Sequence, residues 1–323
     1  VRVNDNGTVT LTHPGTGRVF EELNYYVDDG EAGHAWMHHA PAHDAAIDSR
    51  GFSAAIAVLE NGPLLGRISV SQTLQVPEGL IENGGDPWRR LDGVGNNALR
   101  SGHLMPMPVK TTYTLRRDAP CLEVTCRFHN PARDHRLRVL FPTGLDTRVC
   151  HAETAFDIVE REVLFGEHSP WKGRQGVTFP LQRFVDVSDG RTGLSFLSPG
   201  LREYEVTQDR NRAIAVTLLR AYEVNLTTVS RRWDPHPEMG LSQGPGWHEY
   251  RWLLYPHGED VFTGQVLAAA EAMVSPLQPC LAGPNPNGDL PSQHGLVEME
   301  GSGAAFSAVK PAEDGSGWII RFY

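Results

Sequence analysis

Apolar and polar residues alternate along most of this chain, and Gly, Pro, Asn or Asp interrupt the alternation at short intervals. The segment Leu122-Glu123-Val124-Thr125-Cys126-Arg127-Phe128-His129 has the period of two that places one side of a strand on a core and the other in water. Similar patterns predict strands at 54–59, 66–76, 110–116, 121–129, 136–141, 193–196, 214–219 and 248–255.

Helical periodicity occurs late in the chain, over residues 263–274, in an Ala-rich stretch that is stopped by Pro276. Many short strands and one late helix predict an all-β chain of the β-sandwich class. Two long turn-rich insertions, 77–108 and 231–246, interrupt the strands. Loops of this kind on a rigid sheet are common places for functional residues, so both insertions are candidates.

Composition also divides the chain. A segment rich in Pro, Gly and Asn predicts a linker at 279–295, between a large β-domain over 1–278 and a small β segment over 296–323. The closing residues predict two strands joined by an acidic turn, the second of which continues to Tyr323. Because a finished domain rarely stops in a strand, we expect a piece of a longer protein and a truncated closing segment.

The charge of the chain limits its partners. A formal net charge of -10 at 323 residues argues against nucleic acid, whose phosphates need a basic surface. Apolar runs such as 193–201 are too short to cross a bilayer, so we expect no membrane partner. The 4 cysteines include no C-x-x-C pair, which favours unpaired thiols in a reducing compartment such as the cytoplasm.

A histidine-rich segment is the first candidate site. His34, His38, His39 and His43 with Asp44 could supply nitrogen and oxygen ligands to zinc or nickel. The segment is interrupted by Gly, Pro and Ala, so no regular element would hold these groups on one face. We predict a structural loop and no metal site, with metal binding by His34, His38 and His43 as the open alternative.

Three carboxylates form the second candidate, Asp28, Asp29 and Glu31. Two nearby carboxylates are the groups that glycoside hydrolysis requires. Adjacent residues of an extended strand point to opposite faces, however, so Asp28 and Asp29 cannot flank one bond. Since Asp-Asp-Gly is a common loop composition, we predict a solvated, turn-forming role for them.

Aromatic residues are the third candidate, because the C–H faces of sugars stack on aromatic rings while their hydroxyl groups bind polar neighbours. The chain offers Tyr25, Tyr26, Trp36, Trp88, Trp171, Trp233 and Trp247. We predict that Tyr25, Trp36 and Trp233 lie in loops of suitable polar composition. Core or rim packing is the alternative for each ring.

Arg220 is the fourth candidate, since it follows the apolar strand predicted at 214–219 and precedes the loop that begins at Arg231. A guanidinium group at a strand end can hold a substrate hydroxyl group or a carboxylate of another domain. An ordinary salt bridge is the alternative.

Short segments in a fixed order and spacing carry a resemblance that spans nearly the whole chain: 6–11, 16–20, 23–33, 134–142, 155–161, 218–220, 248–257 and 307–315. Together they resemble the C-terminal β-region of bacterial α-mannosidases of glycoside hydrolase family 38. The resemblance implies a large β-sandwich of the galactose mutarotase type, followed by a smaller β-domain.

The resemblance also implies where the chemistry lies. The family's N-terminal domain would carry a zinc ion held by His and Asp, together with an aspartate nucleophile for retaining hydrolysis of α-mannosides. The His-x-Asp-x-Gly-Trp motif of that domain does not occur in this sequence. We therefore expect no catalytic residue and no cofactor in this chain, inactivity of the chain alone, and an N-terminal catalytic domain as partner. Homo-oligomer formation stays open.

In the resembling family the β-region contributes an arginine and a tyrosine to the sugar pocket. Arg220 is the residue we align with the arginine, and Tyr25 or Tyr26 with the tyrosine. Glu31 and Trp36 keep part of the family's acidic and aromatic pattern, whereas His34 departs from it. The predicted substrate-binding residues are Arg220, Tyr25, Tyr26, Asp29 and Trp36.

Two other functions remain open from the sequence. One is a carbohydrate-binding module that acts without a catalytic domain. The other is an aldose-epimerase-like enzyme, which needs a His and a Glu on one concave face for proton transfer at the anomeric carbon. His103, His129 and Glu123 are the residues available for it.

Overall fold

The computed structural model describes residues 1–323 except 34, 36–37, 42, 82–97, 173–176, 223, 227–232, 236, 290, 296, 299, 301–305 and 323; it also leaves the side chains of 224–226, 233–235 and 237–239 undescribed. The chain forms two compact units, Val1–Pro276 and Leu277–Tyr323. No helix in the described residues is long and apolar enough to cross a membrane.

Short and long strands build the first unit: β1 (Arg2–Val3), β2 (Val9–Thr12), β3 (Val19–Leu23), β4 (Tyr25–Gly30), β5 (Ile47–Asp48), β6 (Ala55–Asn61), β7 (Leu65–Pro77), β8 (Leu80–Ile81), β9 (Leu99–Arg100), β10 (Leu104–Arg116), β11 (Leu122–Asn130), β12 (His135–Phe141), β13 (Val149–Thr154), β14 (Asp157–Glu162), β15 (Phe179–Pro180), β16 (Phe184–Ser188), β17 (Thr192–Leu197), β18 (Glu203–Val206), β19 (Ile214–Ala221), β20 (Val224–Leu226), β21 (Trp233–Pro235) and β22 (Gly246–Gly258). The 3-10 segments of this unit include Ser49–Gly51, of three residues, and Pro237–Gln243, of seven. Every strand predicted from the sequence is present, with its ends shifted by up to six residues, so the all-β prediction is confirmed.

Two large sheets dominate this unit. One has nine strands in the order β14-β13-β16-β17-β22-β11-β10-β7-β6, and the other has six in the order β15-β18-β19-β12-β4-β5. Strands β1, β2 and β3 form a smaller sheet. Neighbouring strands are antiparallel in both large sheets, as hairpin connections favour.

The core lies between the two large sheets. Tyr26 of β4 and Val139 of β12 meet Leu74 of β7 and Trp252 of β22 in one buried apolar cluster. Hydrogen bonds also cross it, because the Tyr26 hydroxyl group lies 2.6 Å from Thr111 Oγ1. The inner-facing side chains of the strands pack in this core, so polar side chains for chemistry are available on the outer faces of the sheets.

The helix α1 spans Val266–Val274, three residues later than the predicted start, because Gln265 has a left-handed backbone with φ 58°. Its buried residues Val266 and Ala270 pack on Phe184 and Leu197 of the nine-stranded sheet. In the second unit, β23 (Phe306–Pro311) and β24 (Trp318–Phe322) form an antiparallel hairpin. The sequence boundaries at 278 and 296, and the truncation of the closing segment, stay predictions.

Candidate functional site on the outer face of the six-stranded sheet

Alternation along β4 and β12 divides their charged residues between two faces. In the register of these strands Asp29 lies opposite Arg136, and Arg136 lies opposite Arg220 of β19. These three residues therefore share the outer face of the six-stranded sheet, whereas Asp28 and His135 point to the inner side. The predicted opposite orientation of Asp28 and Asp29 is confirmed.

Asp29 joins two arginines on the outer face. Its carboxylate accepts hydrogen bonds from Arg136 Nε at 2.9 Å and Arg136 Nη2 at 2.7 Å, in the paired geometry that is strong and directional. Arg138 Nη2 donates to the same carboxylate at 3.1 Å, and Arg138 Nη1 donates to Glu205 at 2.8 Å. One short row of charges thus fixes both guanidinium groups.

Glu31 forms the second half of the site. This carboxylate is buried and accepts hydrogen bonds from Arg220 Nε at 2.8 Å and from the backbone of Gly33 at 2.8 Å. His38 Nδ1 lies 2.8 Å from the Oε2 atom of Glu31, whereas the Gly33 backbone donates to Oε1. Glu31 therefore fixes the guanidinium plane of Arg220, whose Nη1 lies 3.8 Å from Glu203.

The surroundings hold both carboxylates in their charged form. Burial alone would raise the pKa of Asp29, but the hydrogen bonds and charge of Arg136, with Arg138, lower it overall. Burial likewise works against ionisation of Glu31, and the contacts with His38 and Arg220 outweigh it, so its pKa is also lowered. The site is therefore an array of fixed charges at neutral pH.

Two donor atoms in this array have no partner. Arg136 Nη1 and Arg138 Nε are buried and make no hydrogen bond within the part of the chain that the structure describes. Buried donors are nearly always paired in proteins, so these two atoms are candidates for contact with a group outside the described residues. Neighbouring guanidinium donors suit the oxygen atoms of a hydroxyl-rich or carboxylate ligand.

The prediction that Asp28, Asp29 and Glu31 are solvated turn residues is wrong, since their exposed fractions are 0%, 8% and 2%. Asp28 forms ion pairs with Arg100 and with His135. These partners lie far away in sequence, and a local Asp-Asp-Gly pattern contains no information about them.

Of the predicted substrate-binding residues, Arg220 and Asp29 lie in this array, and Arg220 lies within β19 rather than after it. Tyr25 is in β4, not in a loop, with its ring 3.9 Å from the guanidinium carbon of Arg50. Tyr25 shares the outer face with Asp29, but the two residues are four positions apart on the strand, which is roughly 13 Å. Tyr26 is a core residue, and Trp36 lies outside the described residues.

The other sequence candidates are dispersed. Trp233 belongs to the short strand β21, and His34 and Trp88 are outside the described residues. Asp44 accepts a hydrogen bond from the Gly30 backbone, while His38 contacts Glu31. With a guanidinium group on the same carboxylate, this geometry does not fit a metal ion, and the described residues contain no metal-ligand cluster.

The residues for an epimerase do not converge either. Glu123 pairs with Arg116, and His129 contacts the ring of Trp247. These two residues are six positions apart on β11, which is roughly 20 Å along a strand. His103 pairs with Glu78 at the surface, at 3.0 Å.

Arg136 and Arg138 are the site residues that sequence reasoning missed. The available clue was their alternation with Leu137 and Val139 in a predicted strand, which places both guanidinium groups on one face. Their pairing with Asp29 depended on the register of two strands that are 107 residues apart, which the sequence does not state.

A two-sheet sandwich with an ion-paired array on one outer face defines the chain as a β-sandwich domain with a polar site. Residues 1–224 match the model of the glycosyl hydrolases family 38 C-terminal domain, and the chain belongs to that family. The predicted family is confirmed.

Known relatives extend this finding. The chain is 30% identical over 332 aligned positions to a protein of Halalkalibacterium halodurans named "Putative mannosylglycerate hydrolase", and covers 35% of it. It is similar to the crystal structure of an alpha-mannosidase from Enterococcus faecalis V583, with a TM-score of 0.86, 26% identity and 35% of that chain covered. A second family 38 structure from Enterococcus faecalis has a TM-score of 0.84 at 25% identity, and 36% of it is covered. All of this chain is aligned in each case, so it spans about a third of these relatives.

Proposed function

We propose that this chain is the C-terminal β-region of an α-mannosidase-like retaining glycoside hydrolase, and that the array around Asp29, Glu31 and Arg220 lines part of its sugar pocket. The observation that carries the proposal is the pair of buried donors next to Arg220, Arg136 Nη1 and Arg138 Nε, which have no partner among the residues that the structure describes. Family membership and the names of the relatives support it.

The role of this chain in the reaction would be to bind and orient the sugar. Guanidinium groups can hold two ligand oxygen atoms at once, and Glu31 with His38 keeps Arg220 from rotating. Carboxylates that stay ionised behind the arginines prevent loss of this geometry at neutral pH. A fixed array of this kind can stabilise a transition state without reorganising.

The nucleophile and the zinc ion would belong to residues outside this chain, in the N-terminal part that the longer relatives have. Exposed apolar side chains on edge strand β6, Val58 and Leu59 among them, support contact with a further domain. The four unpaired thiols support a cytoplasmic location.

Two substrate classes are compatible with the array. Neutral α-mannosides need only hydroxyl contacts. A mannosylglycerate also carries a carboxylate, and the adjacent donors of Arg136 and Arg138 favour such a group, in agreement with the name of the relative from Halalkalibacterium halodurans.

The test compares the full-length protein with this chain alone. We expect the full-length protein to hydrolyse an aryl α-mannoside or α-mannosylglycerate but not an aryl β-mannoside. The isolated chain should show no turnover, with or without added zinc. Turnover by the isolated chain that is abolished by a substitution within it would overturn the proposal.

A further inference from the structure

The outer face of the nine-stranded sheet carries a groove, remote in topology from the array described above. Its volume is about 700 Å³, within the roughly 300–1,000 Å³ range of small-molecule sites. Residues 53–55 border it beside β7, and Trp247 of β22 borders it on the other side. Polar residues of β7, β10 and β11 form its floor: Ser71, Thr73, Gln75, Lys110 and Arg127.

Trp247 is a fixed and exposed ring at the border of this groove. Its exposed fraction is 57%, which is high for the largest apolar side chain. The guanidinium carbon of Arg127 lies 4.5 Å from the centre of the ring, and the ring of His129 approaches edge-on at 5.2 Å. Because His129 is directly opposite Trp247 in the strand register, both contacts come from the rigid neighbouring strand β11.

The floor of the groove offers hydrogen-bonding groups that the protein does not use. No hydrogen bond or ion pair in the described part of the chain involves the side chains of Ser71, Thr73, Gln75, Lys110 or Arg127. Strand register aligns Ser71 with Lys110, and Lys110 with Arg127, so hydroxyl, ammonium and guanidinium groups stand side by side.

We propose that this groove is a second, non-catalytic binding surface for a saccharide. A sugar ring stacks its C–H face on Trp247, and its hydroxyl groups bind the unpaired donors and acceptors of the floor. Apolar side chains of Phe52, Ala54 and Pro108 also line the groove, and together with Trp247 they suit the C–H faces of a sugar. Nucleic acid fits poorly, because Glu249 lies opposite Arg127 and the net charge is -10.

The experiment is affinity electrophoresis of the full-length protein in native gels that contain soluble α-mannan, with galactomannan and dextran gels alongside. We expect migration to be retarded in at least one polysaccharide and Trp247→Ala to weaken the retardation about 10-fold or more, as for other central aromatic contacts. Trp171→Ala is the matched control, since Trp171 is a partly exposed ring that packs on Phe179 instead. Gln75→Ala, which removes no hydrogen bond within the described residues, should weaken binding by about 3-fold.

Binding at this groove does not depend on hydrolysis, so Arg220→Ala should be retarded like the unchanged protein. Loss of retardation in Arg220→Ala, with retention in Trp247→Ala, would assign the saccharide to the other sheet and overturn the proposal. Absence of retardation in all three gels, as expected if a further domain covers the groove, would overturn it too.

Discussion

The outer faces of the two large sheets both carry basic side chains, but these are ion-paired in the array on one face and, within the described residues, unpaired in the groove on the other. On the six-stranded sheet, Arg136 and Arg138 are buried or nearly so, and both bind Asp29. In the groove of the nine-stranded sheet, Lys110 is exposed and no described side chain pairs with it. Identical strand alternation thus produces a closed array in one place and an open surface in the other.

Access of water explains the difference. A charge that is removed from water and left unpaired costs several kcal/mol, so buried arginines must acquire carboxylates. An exposed charge keeps its hydration, and an ion pair there is worth about 0–1 kcal/mol, too little to enforce pairing. Paired groups are therefore positioned, whereas unpaired groups are available to a ligand.

The largest effect that we expect comes from removing Asp29. Asp29→Ala leaves Arg136 and Arg138 without their shared carboxylate, and breaking a buried pair in this way costs about 3–5 kcal/mol. Urea unfolding followed by circular dichroism measures it. Glu249→Ala is the control on the open face, with a change within about 0.5 kcal/mol. Equal costs at the two positions would remove the distinction between the faces.

The second prediction concerns catalysis in the full-length protein. Arg220→Ala should lower kcat/KM for an aryl α-mannoside about 10- to 1000-fold, which corresponds to the loss of one charge-assisted contact and some misalignment. Arg220→Lys should recover little, because lysine has no planar fork to match Glu31 and a ligand. Steady-state kinetics measures both.

A matched control for Arg220 is Arg116→Ala, since Arg116 is exposed and pairs with Glu123 at the surface. Its kcat/KM should stay within about 2-fold of the unchanged protein. An Arg220→Ala variant as active as this control would remove Arg220 from the pocket while leaving the family assignment intact.

Strand alternation was sufficient to predict the fold, because burial of one strand face is a local property of the sequence. Local composition, by contrast, was misleading at Asp28 and Asp29: Asp-Asp-Gly is typical of turns, but the partners of these carboxylates, His135 and Arg136, are 107 residues away. Long-range register decides such pairs, and no local pattern reports it. The aromatic prediction favoured loops for the same reason, so it passed over Trp247, whose groove exists only when β7, β10, β11 and β22 are neighbours.

The third prediction is a dependence of stability on pH. Burial raises the pKa of Asp29 and Glu31, yet their arginine and histidine partners lower both values overall. A carboxylate whose pKa is lower in the folded state contributes stability above its unfolded value of about 4, and this contribution is lost as the pH falls through the folded value. We therefore expect the free energy of unfolding to decrease as the pH is lowered below about 5. Urea titrations at several pH values should show a shallower decline for Asp29→Asn; an unchanged decline would contradict the shift.

The smallest effect belongs to the open face, where Gln75→Ala and Lys110→Ala should each change the free energy of unfolding by no more than about 0.5 kcal/mol. Both side chains are exposed and neither makes an internal hydrogen bond in the described chain, so truncation removes only contacts with water. The same urea titrations measure these variants, with Asp29→Ala as the reference for the closed array. A cost above about 1 kcal/mol for either would mean that the protein itself uses that group for stability, and the group would then be unavailable to a saccharide.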